Sequence, residues 1–282
     1  MHKYPLRQRL SIYLPKNLFH IYLYNKYHEP VFSLNNPSTY DEKIHYLIAN
    51  VYDESYGIYA DKYEVRNYVK ECGYESILVP LFGIWEKAED IEFDKLPENC
   101  ILKATHGSGP QFYEIIHKND NPDFERIRSK FKDALGINFA ISACQYHYSK
   151  IQPRIICEKL LIQDDQKMLD DYKVVCSKGK AKAILVCTGR NEGRDYYSTD
   201  WKYLDYVKDE YKSGKIISRP QKLEEMIKIA ERLSKPFPLA RIDFYIIDGM
   251  LFFGEITLTP SAGNHTSLSS LGQREIGKMI TL

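Results

Sequence analysis

Two periodicities of apolar residues divide the chain into predicted helices and predicted strands. Spacings of three and four residues predict helices over 39–47, 61–72, 121–135 and about 222–234. Thr39 and Glu42 match the capping-box spacing at the start of the first helix, and Asn121 followed by Pro122 is a typical beginning for the third. Gly136 is predicted to end that third helix.

The strand-like runs are short, and turn residues join several of them in pairs. They cover residues 77–82, 100–104, 112–117, 155–162, 172–177, 181–187, 240–247 and 250–258. A glycine-rich tip separates the second and third runs, and Lys178-Gly179 and Asp248-Gly249 join later pairs. Such turns connect antiparallel neighbours, so the pattern predicts an α+β fold with antiparallel sheets.

The last hairpin has an apolar face and a polar face on each strand. Because side chains alternate along a strand, Arg241 shares a face with Asp243, and Glu255 shares a face with Thr257. A two-residue turn would place Glu255 on the opposite side of the sheet from Asp243. A three-residue loop over 247–249 would set Arg241 opposite Glu255 and unite the two polar faces. We therefore predict the three-residue loop.

Charge excludes some classes of protein and draws attention to the N-terminus. The 282 residues contain 39 Lys and Arg against 38 Asp and Glu, a net charge of +1, which is not the basic excess of a general nucleic-acid binder. The apolar runs are far shorter than the ~20 residues of a membrane span, and no secretory signal is evident, which predicts a cytoplasmic protein.

Residues 1–28 differ from this average, with five basic residues and no acidic residue among many apolar ones. The favoured interpretation is a packed helix with solvated basic side chains. The alternative is a peripheral contact with the anionic inner face of a membrane.

Two carboxylates and a hydroxyl on one sheet face, beside an arginine, suit a hard cation and a phosphate group. A half-exposed arginine–glutamate pair on the sheet surface is the competing interpretation. Lysines at strand and turn positions favour the first, since Lys103 ends an apolar strand and leads directly into a loop with two glycines, 105–110. Small residues in such a loop let backbone N–H groups approach phosphate oxygens.

Taken in order, these motifs resemble the TupA-like (teichuronopeptide biosynthesis) family of the ATP-grasp superfamily. The resemblance covers about residues 33–265. It is carried by Asn36-Pro37, Ala60-Asp61-Lys62-Tyr63, Leu102-Lys103-Ala104-Thr105-His106-Gly107-Ser108-Gly109, Pro153 to Lys159, Asp171-Tyr172-Lys173, Arg241-x-Asp243 and Gly254-Glu255-Ile256-Thr257.

The resemblance implies an ATP-grasp fold in which two α+β lobes clamp ATP, with Mg²⁺ on the phosphates. The implied organisation is a basic N-terminal segment over 1–32, a first lobe over 33–152 with the glycine flap 105–110, and a second lobe with the metal site over 153–282. No nucleic acid is expected as a partner.

The resemblance also implies roles for individual residues. Phosphate contacts are implied for Lys62, Lys103 and the loop residues Thr105, Gly107, Ser108 and Gly109. Contacts to adenine and ribose are implied for Glu158, Lys159 and Leu160. Lys173 would face the γ-phosphate or the substrate, and Lys103, Lys173 and Arg241 would assist phosphoryl transfer. Asp243, Glu255 and Thr257 would hold the metal, and His106, Arg190 and Arg194 are weaker candidates for binding the acceptor substrate.

Thr257 stands where many ATP-grasp ligases have asparagine. The resemblance therefore leaves open whether the site holds one metal ion or two. The function it implies is an ATP-dependent carboxylate–amine ligase that works through an acyl phosphate. Its substrates would be an amino acid or peptide and a sugar acid of a cell-surface polysaccharide or its precursor. Two alternatives stay open, namely a kinase acting on a sugar or protein hydroxyl and a glycosyl-transferring or non-catalytic polysaccharide protein.

Overall fold

A computed structural model describes residues 5–27, 34–162, 169–189 and 193–282, except for the side chains of Arg7, Arg9 and Tyr27. Its helices are α1 (Leu6–Tyr13), α2 (Lys16–Tyr27), α3 (Tyr40–Asn50), α4 (Gly57–Ala60), α5 (Val65–Glu71), α6 (Phe124–Leu135), α7 (Phe139–Ala143), α8 (Leu223–Leu233) and α9 (Ser270–Met279).

The strands are β1 (Leu81–Trp85), β2 (Asn99–Ala104), β3 (Tyr113–His117), β4 (Ile155–Lys159), β5 (Asp171–Ser177), β6 (Lys180–Thr188), β7 (Gly193–Tyr197), β8 (Tyr203–Leu204), β9 (Ala240–Ile247) and β10 (Met250–Thr257).

The chain divides into two units, which are described separately. Unit 2 covers 54–161, and unit 1 combines 1–53 with 162–282. These units differ in their limits from the segments 1–32, 33–152 and 153–282 implied by the resemblance, and those segments stay a prediction.

Unit 2 is built on a four-stranded sheet in the order β1-β4-β2-β3, with every pairing antiparallel. Its core lies between this sheet and α6, whose apolar residues Ile127 and Phe131 are buried against Leu102 and Cys157. β2 and β4 pair so that Ile101 lies opposite Glu158. That register places the side chains of Lys103 and Glu158 on the same face of the sheet.

Unit 1 is built on a six-stranded antiparallel sheet in the order β10-β9-β5-β6-β7-β8. Helix α8 contributes a buried stripe of Leu223, Met226, Ile229, Ala230 and Leu233. The sequence pattern predicts Ile227 in place of Ile229, but Ile227 is only half-buried. The strand pairings confirm that antiparallel hairpins dominate the second half of the chain.

Two predicted helix starts are confirmed or corrected by their hydrogen bonds. The Thr39 hydroxyl accepts from the Glu42 backbone N–H while the Glu42 side chain accepts from the Thr39 N–H, so the predicted capping box is present. The predicted N-cap at Asn121 is wrong. Asn121 is left-handed with φ 49°, and the carboxylate of Asp123 caps α6 by accepting from the Arg126 N–H.

The predicted helix over 61–72 begins later than the sequence pattern indicated. The Asp61 side chain accepts from the N–H groups of Tyr63 and Glu64, at 2.7 and 3.1 Å, and holds this segment as a turn before α5 begins at Val65. A side-chain acceptor that competes with the backbone in this way delays a helix by one turn.

The predicted loop of the last hairpin is wrong, and so is the predicted pairing of Arg241 with Glu255, because Arg241 lies opposite Thr257. The predicted union of the two polar faces is correct. Met250 pairs with Ile247, so the connection is the two-residue turn Asp248-Gly249, with both residues left-handed at φ 50° and 71°. A β-bulge between Phe253 and Glu255 then shifts the register by one residue. Glu255 therefore lies opposite Asp243, on the same face of the sheet.

Gly254 is the extra residue of this bulge, and it is tightly enclosed. A Cβ atom there would lie 3.1 Å from the Asp243 carbonyl oxygen and 3.2 Å from the Tyr245 ring. Only a residue without a side chain fits at this distance unless the neighbouring strand moves.

We expect Gly254→Ala to lower the free energy of unfolding by about 1–3 kcal/mol, because β9 must shift to accept the methyl group. The control in the same hairpin is Gly249→Asn, where nothing lies within 4 Å of the Cβ position and asparagine tolerates a left-handed backbone. Urea unfolding measures both variants. Equal stability of Gly254→Ala and the wild type would show that the bulge does not need glycine.

Candidate active site

The polar face of unit 1 carries a centre in which one carboxylate is bound by two cations. Arg241 binds Asp243 with two hydrogen bonds, from Nε to Oδ1 and from Nη2 to Oδ2, both 2.7 Å long. Lys173 lies directly opposite Asp243 on β5, and its Nζ is 2.7 Å from Oδ2. Asp243 is 2% exposed, so this ion pairing takes place away from bulk water.

The partners of Asp243 determine its protonation. Burial by itself raises the pKa of Asp243, but the charges of Arg241 and Lys173 outweigh burial and hold the pKa below its usual range. Burial lowers the pKa of Arg241 and of Lys173, and Asp243 reverses this, so both pKa values lie above their usual range. All three groups are therefore charged at neutral pH.

Three oxygens converge on the Arg241 Nη2 atom from two adjacent strands. They are Asp243 Oδ2 at 2.7 Å, Thr257 Oγ1 at 3.1 Å and Glu255 Oε1 at 3.2 Å, and the Thr257 hydroxyl also donates to Glu255 Oε1 at 2.6 Å. Asp243, Thr257 and Glu255 are thus brought together as predicted. The Glu255 side chain is 40% exposed, so this part of the centre is open to a ligand.

This donor set fits Mg²⁺, which prefers oxygen ligands, takes few from the protein and keeps several waters or phosphate oxygens. Within the described residues, no group of three or more His, Cys, Asp or Glu side chains is placed to hold a metal by itself. Asp243, Glu255 and Thr257 would therefore supply a minority of the ligands, with phosphate oxygens and water completing the shell.

Unit 2 carries a second centre with the same construction. The buried carboxylate of Glu158 binds Lys103 Nζ at 2.8 Å and Arg66 Nη1 at 2.9 Å. Lys103 and Glu158 are diagonal neighbours on β2 and β4, since Lys103 pairs with Ile156 and Glu158 pairs with Ile101. The sequence prediction named Lys103 and Glu158 but not their contact.

Lys62 forms two hydrogen bonds with the glycine flap at 105–110. The Lys62 Nζ donates to the Gly107 carbonyl at 2.5 Å, and the Lys62 N–H donates to the Thr105 carbonyl at 3.2 Å. Gly107 packs on the buried Phe112 ring, which lies 2.5 Å from where a Cβ would be, and Gly109 has φ 105°. Ser108 and Gly109 are exposed, while Thr105 is buried.

The remaining predicted residues lie in varied surroundings. Lys159 is exposed and its N–H donates to the Pro80 carbonyl, while Leu160 is half-buried. His106 is buried, with its Nε2 3.2 Å from the Ala134 carbonyl, and burial lowers its pKa. Arg194 contacts the Ser267 hydroxyl at 3.3 Å, and Arg190 lies outside the described residues. Substrate contacts by His106, Arg190 and Arg194 stay predictions.

Three residues of these centres escaped the sequence analysis. Arg66 lies in α5, and no spacing in the sequence connects it to Glu158, which is 92 residues away. Asp171 approaches Lys173 Nζ at 3.2 Å, and Tyr245 lies on the polar face of β9. Burial, Asp171 and Asp243 raise the pKa of Tyr245 well above its usual value, so its hydroxyl stays protonated and can donate.

A comparison with known protein families identifies the family of this chain. The sequence model of the TupA-like ATPgrasp family matches residues 42–281. The chain therefore belongs to the TupA-like ATP-grasp family, which confirms the resemblance and the predicted ATP-grasp fold. No curated protein matches the chain.

Among solved structures, the chain is similar to D-alanine–D-alanine ligase from Bacillus anthracis complexed with ATP, at 19% identity and a TM-score of 0.41 over 73% of this chain and 55% of that one. It is also similar to L-amino acid ligase from Bacillus licheniformis, at 13% identity and a TM-score of 0.46 over 73% and 45%. The chain thus spans about half the length of these two proteins. Because these identities and TM-scores are low, membership of the ATP-grasp family rests on the match to the family model.

We expect Asp243→Asn to destabilise the protein by about 3 kcal/mol, because it leaves the buried Arg241 and Lys173 without their anion. Glu255→Gln is the matched control and is expected to cost less than about 1 kcal/mol, because Glu255 is partly solvated. Urea unfolding at neutral pH measures both. Equal effects would contradict the ranking of the two carboxylates.

The stability lost in Asp243→Asn is also expected to depend on pH. A carboxyl whose pKa is lower in the folded than in the unfolded protein stabilises the fold above the unfolded pKa, and this stabilisation is lost as the pH falls through the folded pKa. The stability difference between wild type and Asp243→Asn is therefore expected to be full at neutral pH. It should shrink below about pH 4, measured by urea unfolding across that range.

Proposed function

We propose that this protein is an ATP-dependent carboxylate–amine ligase that works through an acyl phosphate. The observation that supports this most is the convergence of Asp243, Glu255 and Thr257 oxygens on Arg241, beside Lys173, in a chain of the ATP-grasp family. An anionic pair for a metal, next to fixed cations for phosphate oxygens, is what phosphoryl transfer requires.

Mg²⁺ bound to Asp243, Glu255 and Thr257 would supply charge neutralisation for the phosphates of ATP. Arg241 and Lys173 would stabilise the negative charge that develops on the transferred phosphoryl group, and they are held in place beforehand by Asp243. Because these cations are fixed before substrate arrives, little reorganisation is needed in the transition state.

In unit 2, we propose that Lys103 and Lys62 bind phosphate oxygens and that the exposed tip of the glycine flap covers them. Gly107 and Gly109 keep the flap backbone close to its ligand. Glu158 would accept from the ribose or adenine, with Lys159 and Leu160 contributing backbone groups. Arg66 would keep the Glu158 carboxylate paired and correctly oriented when Lys103 turns to phosphate.

We propose that the carboxylate substrate is a sugar acid of a cell-surface polysaccharide or its precursor, and that the amine belongs to an amino acid or peptide. The family name supports this context. Kinase activity on a hydroxyl and a protein without ATP turnover are the other outcomes that the next experiment distinguishes.

The test measures ADP release from ATP and Mg²⁺ with glucuronate or galacturonate and each of the twenty amino acids. In the presence of hydroxylamine, a ligase is expected to form hydroxamate as ADP appears, because hydroxylamine captures an acyl phosphate. Asp243→Asn and Glu255→Gln should each reduce turnover by at least about a hundredfold, since each removes a proposed anionic ligand of Mg²⁺. A stable phosphorylated sugar without hydroxamate would identify a kinase instead, and turnover unchanged by both variants would contradict the site.

We also propose that the N-terminal helices contact an anionic membrane surface. No described helix combines the length and apolar character needed to cross a bilayer. Helix α2 packs on α3 through buried Phe19 and Leu23, while Leu6, Tyr13 and Leu18 are 65%, 77% and 57% exposed. Residues 1–28 contain basic residues and no acidic ones. Electrostatic attraction to an anionic surface would therefore add to the apolar contact.

The protein is therefore expected to sediment with vesicles of phosphatidylglycerol and phosphatidylcholine, but not with phosphatidylcholine alone. Lys16→Glu/Lys26→Glu should weaken the partition constant at least about tenfold. Lys208→Glu/Lys228→Glu makes the same charge change on exposed lysines elsewhere and should bind as the wild type does. Equal loss in both double variants, or binding to neutral vesicles, would contradict contact through residues 1–28.

A further inference from the structure

A buried carboxylate–histidine pair lies in unit 1 outside the residues assigned above. Asp41, in the first turn of α3, is fully buried. Its Oδ1 lies 2.5 Å from the His265 Nδ1, and its Oδ2 accepts from the His265 backbone N–H at 3.0 Å. His265 follows β10, the strand that carries Glu255 and Thr257, by eight residues.

The hydrogen bonds of Asp41 determine the tautomer of His265. Besides the two bonds from His265, Asp41 Oδ2 accepts from Gln273 Nε2 at 2.5 Å. A carboxylate that accepts from this many donors is ionised, so the His265 Nδ1 carries a proton and donates it. The lone pair is then on Nε2, and among the described residues Nε2 makes no hydrogen bond.

Tyr40 connects this pair to the candidate metal centre. Its ring packs on the His265 ring, with 4.8 Å between centroids and 32° between planes. Burial raises the pKa of Tyr40 well above its usual value, and the charges of Arg241 and Asp243 act on the same hydroxyl. Tyr40 thus contacts the histidine directly and is under the electrostatic influence of two residues of the candidate metal centre.

The segment that presents His265 is strained. Ser261 and Ala262 have φ values of 50° and 51°, in the left-handed region that residues with a Cβ rarely adopt. Gly263 follows at φ 73°, and a Cβ there would lie 2.7 Å from the His45 ring and 3.2 Å from the Asp41 carbonyl oxygen. Strain of this kind persists only where the surroundings enforce it, and here it holds the loop against α3.

We propose that His265 Nε2 is the base that deprotonates the amine substrate, and that Asp41 is the positioning residue that keeps Nε2 unprotonated. This inference rests on the proposed ligase function and adds the residue that activates the nucleophile. An amino group is an ammonium ion at neutral pH and cannot attack a carbonyl until it loses a proton.

The ammonium group gives one proton to His265 Nε2, which becomes an imidazolium stabilised by Asp41. The freed nitrogen lone pair forms the C–N bond to the acyl carbon while the C–O bond to the phosphoryl group breaks. A second proton from the nitrogen leaves with the phosphate as hydrogenphosphate, and the imidazolium returns its proton to water.

The charged and titratable groups around His265 are consistent with this role. Asp41, Tyr40 and His45 approach from α3, and Gln273, which does not titrate, approaches from α9. The charges of Arg241 and Asp243 act on Tyr40. Asp41 is the carboxylate in direct contact with the ring, on its Nδ1 side.

The test uses the acyl phosphate formed from glucuronate or galacturonate, whichever gives the most ADP. It compares the reaction of this acyl phosphate with an amino acid and its reaction with hydroxylamine. His265→Asn keeps a donor to Asp41 but removes Nε2. Amide formation with the amino acid is expected to fall by about a hundredfold or more, because a general base is lost. Hydroxamate formation should stay near the wild-type rate, since hydroxylamine is already unprotonated at neutral pH, and raising the pH should restore amide formation.

Thr39→Ala is the structural control, because it removes the N-cap hydroxyl of α3 and no atom of the pair. It should lower stability while keeping the ratio of amide to hydroxamate. An unchanged ratio in His265→Asn would overturn the proposal for His265 alone, whereas no hydroxamate from the wild type would overturn the ligase function.

Nitrogen-15 NMR of the free protein tests the same assignment without a substrate, with the His265 signals identified by their loss in His265→Asn. The proposal requires a protonated Nδ1 and an unprotonated Nε2 at neutral pH. A proton on Nε2 in the neutral ring would overturn it whatever the turnover experiment shows.

Discussion

The ion pairing of Asp243 with Arg241 and Lys173 is the interaction on which the candidate site of unit 1 depends. A buried carboxylate is costly to charge, and here two cations on neighbouring strands offset that cost. The same contacts hold the two cations where a phosphoryl group would need them. Stability and the proposed chemistry would therefore rely on one set of atoms, and a substitution at Asp243 would affect both.

The β-bulge at Gly254 couples this centre to the hydrophobic core. Before the bulge, Leu251 and Phe253 are buried, and after it Ile256 is buried while Glu255 and Thr257 join the polar face. Without the shift, the same sequence would turn the carboxylate away from Asp243 or expose the apolar residues of β10. The position of one glycine thus reconciles the packing of the strand with its polar chemistry.

Unit 2 repeats the principle with Glu158 held by Lys103 and Arg66. In each unit a buried anion is shared by two cations, so a cation can turn to a phosphate oxygen without leaving the carboxylate unpaired. The Asp41–His265 pair extends the pattern to a third buried carboxylate, and there the partner is a group that can exchange a proton. In the proposed function, each of these three buried carboxylates would hold the partner side chains of a different step, namely phosphate binding, charge stabilisation and proton transfer.

The sequence by itself determined the local features of this protein. The capping box at Thr39, the antiparallel hairpins, the α8 stripe and the family motifs depend on neighbouring residues, so period and spacing were enough to find them. The tertiary structure decided what depends on distant contacts. The bulge that sets Glu255 opposite Asp243 depends on how β10 packs on β9, and the pairs Arg66–Glu158 and Asp41–His265 join residues 92 and 224 positions apart. No periodicity records such contacts, because folding alone brings these side chains together.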